Sequence, residues 1–294
     1  MRNVKNVNTV VLPIAGLGSR FLPVTKSVPK ELLPILNRPL IEYAVAEAKQ
    51  SGIEKFIFVV SKDKFQVVKH FQSKDKLEKD LKMKSDQLLK LIREHNIPKE
   101  NTFQVIQERP LGLGHAIWCA RKHIDGPFAV MLPDDIVFSK TPCIKQLISV
   151  YNKYKTSVIA VEEVPKEQVN KYGIIEISDS YSEDTLLVKA IVEKPKIEDS
   201  PSNLAAIGRY ILMPNIMDEL AKKDIGEGGE IQLTDAIGKT INTSKCCAYR
   251  FEGERFDCGS VLGSLEAQIF AALKEDLYKK DTIKILNKFL KKDH

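Results

Sequence analysis

The chain has 294 residues, of which 43% are hydrophobic and 29% charged, an ordinary balance for a globular protein with one large core or two lobes around one sheet. Its net charge of +6 suits anionic ligands in general. No apolar run approaches the roughly 18 residues of a membrane span, and no Lys/Arg run is interleaved with aromatics, so neither a membrane nor a nucleic acid is an expected partner.

Thr9 to Ile14 is short, apolar and rich in β-branched residues, the pattern of a buried strand. A Gly-containing loop follows at Ala15 to Ser19. Leu40 to Lys49 places Leu40, Ala44 and Ala48 on one helical stripe, and Gly52 ends that helix. Lys55 to Val60 reads as the next strand, so the three elements form a right-handed parallel crossover. The alternation resumes with a strand at Thr102 to Ile106, a helix at Gly114 to His123 and a strand at Phe128 to Leu132. A helix at Cys143 to Tyr154 and a strand at Ser157 to Val161 come next. Residues 73–100 are charged and helical in period, and interrupt the alternation as an insertion, a dimer or lid element. Strands close in sequence follow, at Gly173 to Ile177, Leu186 to Glu193 and Leu204 to Leu212, so this part is partly antiparallel. Helices are predicted at Glu230 to Thr243 and from Val261 to the Lys-rich end, with a strand at Cys246 to Phe251 between them. The expected architecture is one α/β domain with a Rossmann-like, central mixed but mostly parallel sheet flanked by helices. Residues 1–165 would be mainly a nucleotide-binding half and residues 166–294 a more mixed half.

The stretch Met1 to Thr9 is polar and lacks the apolar segment of a secretion signal. The cysteines are Cys119, Cys143, Cys246, Cys247 and Cys258. Their odd number, without a CxxC pair, fits free thiols in a reducing cytoplasm better than a disulfide framework or a zinc site.

Ala15-Gly16-Leu17-Gly18-Ser19-Arg20 lies directly after the first strand, where open α/β sheets bind ligands. A Rossmann fingerprint would need a third glycine where Phe21 stands, and Thr25-Lys26-Ser27 lacks the glycine of a Walker A loop. Gly16 and Gly18 alone suit a tight turn equally well. With the fork of Arg20 and the point charge of Lys30 added, the string suits a triphosphate. Leu132-Pro133-Asp134-Asp135 ends a strand with paired acids, a pattern that fits either a hard cation or an Asx turn. Gln107 to Ala116 joins a strand to a helix through Gly112 and Gly114. Glu193-Lys194-Pro195, Lys171-Tyr172-Gly173, Gly208-Arg209-Tyr210 and Gly229 to Asp235 are, singly, as consistent with solvated charges and helix caps as with a site.

Gly16 to Pro23, followed by Pro29-Lys30-Glu31-Leu32-Leu33-Pro34-Ile35, resembles the signature of the sugar-nucleotide pyrophosphorylases, and the resemblance extends over nearly the whole chain. One departure is Ser19, where that family usually has Thr; the hydroxyl is kept. The resemblance implies transfer of a uridylyl group from UTP to glucose 1-phosphate by a magnesium-dependent homodimer or homotetramer. Thymidylyl transfer is the nearest alternative, and a catalytically silent regulatory protein on the same fold is another; Glu31 after Lys30 favours uridylyl transfer. By the same resemblance Ala15, Gly16, Leu17, Gly18, Glu31, Gln107 and Gly112 contact the nucleotide. Gln107 offers both the donor and the acceptor that a uracil edge requires. Gly173, Glu193, Lys194, Gly208 and Glu230 hold the sugar phosphate, and Asp134 and Asp257 bind the metal. Arg20, Lys30, Asp134 and Lys194 are the expected catalytic residues, with Arg20 and Lys30 over the leaving pyrophosphate. His115 is expected to be structural.

Overall fold

The computed structural model describes residues 6–291, so most of the polar Met1 to Thr9 stretch and the last residues of the Lys-rich end lie outside the described part. Strand β1 (Thr9–Pro13) leads into the glycine loop, a short hairpin of β2 (Pro34–Ile35) and β3 (Arg38–Pro39), and helix α1 (Leu40–Gln50). β4 (Lys55–Val60) and α2 (Phe65–Lys69) come before the charged insertion, which forms α3 (Asp75–Lys82) and α4 (Asp86–Glu94). β5 (Thr102–Ile106), α5 (Leu113–Cys119), β6 (Phe128–Met131) and β7 (Asp135–Phe138) follow. Then come α6 (Cys143–Tyr154), β8 (Ser157–Glu163), β9 (Gly173–Ser180), β10 (Thr185–Glu193) and β11 (Leu204–Leu212). α7 (Ile216–Ala221), α8 (Leu233–Ile241), β12 (Cys246–Arg250), β13 (Glu254–Asp257), α9 (Val261–Lys274) and α10 (Asp276–Leu290) complete the order.

The main sheet runs β5-β4-β1-β6-β11-β8-β12-β10-β9. β5, β4, β1 and β6 are mutually parallel, β8 and β12 pair in parallel, and β11, β10 and β9 are antiparallel to all their neighbours. Following these pairings across the sheet, seven of its nine strands point the same way. Successive residues of β1 serve opposite faces: Val10 and Leu12 join a layer with Phe56, Phe58, Val45 and Leu147, while Val11 joins Ile57, Val59 and Ile117 on the other side. Both faces are therefore covered, as a largely parallel sheet requires. Each such side chain contributes about 1.5–3 kcal/mol on burial.

This arrangement fixes where a ligand can bind. From β1 the chain moves to β4 on one side and returns later to β6 on the other. The order reverses at β1, and the crevice beyond the carboxyl ends of β1 and β6 is the switch point where open α/β sheets take ligands.

Several boundaries differ from the sequence expectation. The helix expected to reach His123 stops at Cys119 and tightens into a 3-10 turn over Ala120–His123. The helix expected from Glu230 starts at Leu233, because Glu230 is extended and lies against the loop at Gly112. The terminal helix is two helices, split at Glu275, whose backbone is extended and whose N–H caps the Ala271 carbonyl.

Candidate active site

The chain leaves β1 through a loop that turns on Gly18, at φ 68°. A Cβ there would lie 3.2 Å from Thr25 Cγ2 and 3.3 Å from Lys30 Cβ, and the Thr25 hydroxyl donates to the Gly18 carbonyl at 2.9 Å. The loop is thus folded back on the turn that carries Lys30. Gly16 is different: an added Cβ would meet no protein atom within 4 Å, so the protein's own packing does not demand glycine there. Lys30 Nζ sits 2.5 Å from Asp134 Oδ2. Burial would raise the Asp134 carboxyl, but the ammonium beside it holds it below the usual carboxylate range.

A cavity of about 280 Å³ opens beside this loop, lined among others by Gly16, Lys30, Gln107, Gly112 and Glu230. Gln107 Nε2 donates to the Gly112 carbonyl at 3.1 Å and to His115 Nδ1 at 3.0 Å, which leaves the amide oxygen outside both bonds. His115 therefore acts as an acceptor at Nδ1 and is neutral; burial lowers its pKa, in agreement. Gly112, at φ 98°, admits no side chain, since a Cβ would lie 2.8 Å from both Glu230 Cβ and the Ile231 carbonyl.

A second cavity, of about 190 Å³, is lined by Gly173, Glu193, Gly208, Thr234, Arg255 and Asp257 among others. Thr234 donates to Glu193 Oε2 at 2.8 Å, which orients one carboxylate oxygen and leaves the other for a ligand or for Lys194. Gly208 N donates to Asp135 Oδ2 at 2.8 Å, and a Cβ at Gly208 would lie 2.5 Å from that oxygen. Asp135 is thus a structural acid: it also accepts from Arg255 Nε at 2.7 Å, and Arg255 crosses the Tyr172 ring at 5.2 Å. Asp134 lines both cavities, so the two meet at the end of β6.

At that junction β13 pairs with β7 as a separate two-stranded ribbon, with Asp257 opposite Asp135. Phe256 anchors the ribbon against Phe138 and Phe270, at centroid distances of 5.7 and 4.8 Å. This packing makes Asp257 the last residue of a strand. A Cβ built on Gly259 would sit 2.9 Å from Asp257 Oδ1, 3.0 Å from Asp134 Oδ2 and 3.7 Å from Arg20 Nη1. The two carboxylates flank one small space that any side chain at 259 would fill. Two oxygen donors suit a hard cation that draws its remaining ligands from water and phosphate. Among the described residues no group of three or more His, Cys, Asp or Glu could hold a metal, so a site closed by protein ligands alone does not form.

A nucleotidyl transferase family model matches residues 9–272. The UTP–glucose-1-phosphate uridylyltransferase of Komagataeibacter xylinus is 47% identical over 263 residues, which is 89% of this chain and 92% of that protein. The chain belongs to the nucleotidyl transferase family. Among solved structures, the UTP-bound UGPase from Acinetobacter baumannii has a TM-score of 0.87 at 38% identity, over 95% of this chain and 98% of that one. UDP-glucose pyrophosphorylase complexed with UDP-glucose superimposes at a TM-score of 0.82 and 41% identity, over 92% of this chain and 100% of that one.

For this nucleotidyl transferase the fold brings Gly16, Lys30, Gln107, Gly112 and Asp134 to one cavity, and Gly173, Glu193, Gly208, Asp134 and Asp257 to the other. Some expected residues stand elsewhere. Glu230 lies over Gly112 and lines the first cavity, because Ile231 N donates to the Leu111 carbonyl at 2.8 Å and ties that segment to the Gly112 loop. Lys194 is at the rim, its Nζ 3.2 Å from Glu193 Oε1, while Lys171 and Arg255 are the cations in the wall. Arg20 and the strongly exposed Leu17 lie outside the cavity lining, with Arg20 reaching the acidic corner. Glu31, by contrast, lines the same cavity as Gly16 and Gln107, although it is 1% exposed and bound by Lys64. Sequence reasoning missed Lys64, since Lys62-Asp63-Lys64 has the look of a solvated charge run. It also gave no sign of Arg255 as a wall residue.

Proposed function

We propose that the chain transfers the uridylyl group of UTP to glucose 1-phosphate, releasing pyrophosphate and leaving UDP-glucose. The observation that carries this reading is the meeting of two cavities at Asp134, one walled by the glycine loop and Gln107, the other by Glu193 and Gly208. The relatives described above act on, or are bound to, the corresponding nucleotide and nucleotide sugar.

The attacking group needs no activation, since a phosphate monoester has its second pKa near about 6 and is largely dianionic at neutral pH. Its oxygen forms a bond to the α-phosphorus of UTP. The bond to the bridging oxygen breaks, and the electron pair leaves on pyrophosphate. No proton transfer and no covalent enzyme intermediate are required, consistent with His115 being occupied by Gln107. What the reaction needs is alignment of two polyanions and compensation of charge. Gln107 and Gly112 would hold the base. Glu193 would accept from sugar hydroxyls, with Lys194 swinging from it to the sugar phosphate. Arg20 and Lys30 would face the leaving pyrophosphate. Asp134 and Asp257 would hold magnesium, which when bound neutralises charge on the reacting phosphates. Lys30 keeps Asp134 ionised for that purpose.

A homo-oligomer is part of this reading, because α10 exposes Leu277, Ile283, Phe289 and Leu290. The cytoplasm is proposed as its location, since all five cysteines are free thiols. Pyrophosphate release measured across the five common nucleoside triphosphates and several hexose 1-phosphates tests the assignment. UTP with glucose 1-phosphate should give the highest kcat/KM. Equal kcat/KM for dTTP and UTP would remove the uridylyl assignment and leave the class standing.

A further inference from the structure

Lys64 is 7% exposed, yet it follows β4 in a surface turn, Lys62–Lys64, otherwise open to solvent. Its ammonium points inward and meets three acceptors: the Gly16 carbonyl at 2.5 Å, and Glu31 Oε1 and Oε2 at 2.9 and 2.8 Å. All three N–H donors of the ammonium are therefore used. They join two segments that the sequence keeps apart: the glycine loop after β1, and the 3-10 turn Lys30–Leu32. We propose that Lys64 is a positioning residue for nucleotidyl transfer, tying the Gly16 carbonyl to the Glu31 carboxylate from behind the cavity and so setting the path of the loop that receives the triphosphate. The inference rests on the uridylyltransferase reading above.

Stability alone is a poor reason for this arrangement. A buried ion pair is often no more stabilising than apolar residues of the same volume, because desolvation opposes the Coulombic gain. The location supplies a better reason. A trans peptide is planar, so its carbonyl and the following N–H point opposite ways. Fixing the Gly16 carbonyl on Lys64 fixes the Leu17 N–H on the side away from Lys64. Gly16 itself has open space where a side chain would be. A peptide N–H beside an open glycine is what a phosphate oxygen needs. Lys64 thus turns a flexible Gly-Leu-Gly segment into a preorganised donor, and Glu31 serves as the anchor that holds Lys64.

The charged groups facing Lys64 are Glu31 and Lys30 from the 3-10 turn and Asp134 from the end of β6. Burial lowers the Lys64 pKa and Glu31 opposes that shift. Removing the Glu31 charge must therefore lower it further, and the Lys64 proton is then lost at a lower pH.

Steady-state kinetics of Lys64→Met, Lys64→Arg and Glu31→Gln, each with UTP and glucose 1-phosphate varied in turn, test the proposal. Lys64→Met should raise the KM for UTP about tenfold or more, the scale of one charge-assisted hydrogen bond, and leave the KM for glucose 1-phosphate within about twofold. Lys64→Arg should recover part of the loss. In Glu31→Gln the alkaline limb of the pH profile of kcat/KM for UTP should move to lower pH, an effect that mere structural support would not produce. Wild-type turnover of the two substrates checks the parent reading separately. With that turnover present, equal KM changes for both substrates in Lys64→Met, or an unmoved alkaline limb in Glu31→Gln, would overturn the positioning role. If Lys64→Met does not fold, the Glu31→Gln profile decides alone.

Discussion

Gly259 is worth more attention than its lack of a side chain suggests. The space its missing Cβ leaves lies between Asp134 and Asp257, within 3.0 Å of an oxygen of each. Its backbone φ is not in the left-handed region, so alanine is conformationally acceptable there. The Gly259→Ala protein should fold normally but need considerably more magnesium for half-maximal activity. A magnesium titration of rate, beside a thermal melt, reads both quantities, and an unchanged titration would count against the shared cation. Asp134→Asn and Asp257→Asn should each lower kcat by about 10² or more, the scale of losing one preorganised electrostatic group. The double variant should be little worse than either single one, because both act through one ion. Purely multiplicative losses would mean two separate roles.

Among the elements, the β7–β13 ribbon has the most leverage on the site. Phe256 is 7% exposed and wedged between Phe138 and Phe270, one residue before Asp257. Phe256→Ala should cost about 3–5 kcal/mol of stability by cavity formation and should also raise the magnesium needed for half-maximal activity, since it releases the strand that aims Asp257. Urea unfolding together with the magnesium titration measures the two effects; a destabilised variant with unaltered magnesium response would separate the ribbon from the site.

This ribbon also shows where sequence reasoning stopped. Lys55–Val60, Thr102–Ile106, Leu204–Leu212 and Cys143–Tyr154 were legible to the residue, because continuous apolar runs or a clear helical period mark them. Asp135–Phe138 and Glu254–Asp257 are four residues each, carry charges at their ends, and pair across more than a hundred residues of chain. Nothing local announces such a pairing. The glycine loop and the Asp134-Asp135 pair were legible as candidates from local motifs, whereas Gln107 came from resemblance. That Asp134 and Asp257 share a corner came only from resemblance, and Lys64 was hidden because burial of a lysine depends on a carboxylate, Glu31, thirty-three positions earlier.

On the scale of the whole molecule, α9 and α10 are the least satisfied part of the surface. α10 has no buried residue, and Leu277, Ile283, Phe289 and Leu290 face outward, as do Leu262 and Leu265 of α9. The proposed homo-oligomer would cover them with a second copy of the chain. Leu277→Asp with Phe289→Asp should shift the protein toward monomer in sedimentation velocity, with little change in the far-UV spectrum. A wild-type protein that sediments as a monomer at micromolar concentration would sink the oligomer.

The meeting of the two cavities at Asp134 has a kinetic consequence of its own. Whatever is made by joining the contents of one cavity to those of the other must lie across Asp134 and fill both at once. The product is then a bisubstrate ligand for its own enzyme. On the proposed function it would exclude either starting material and draw binding energy from both walls. Accumulated nucleotide sugar would then slow its own formation, without a separate regulatory site.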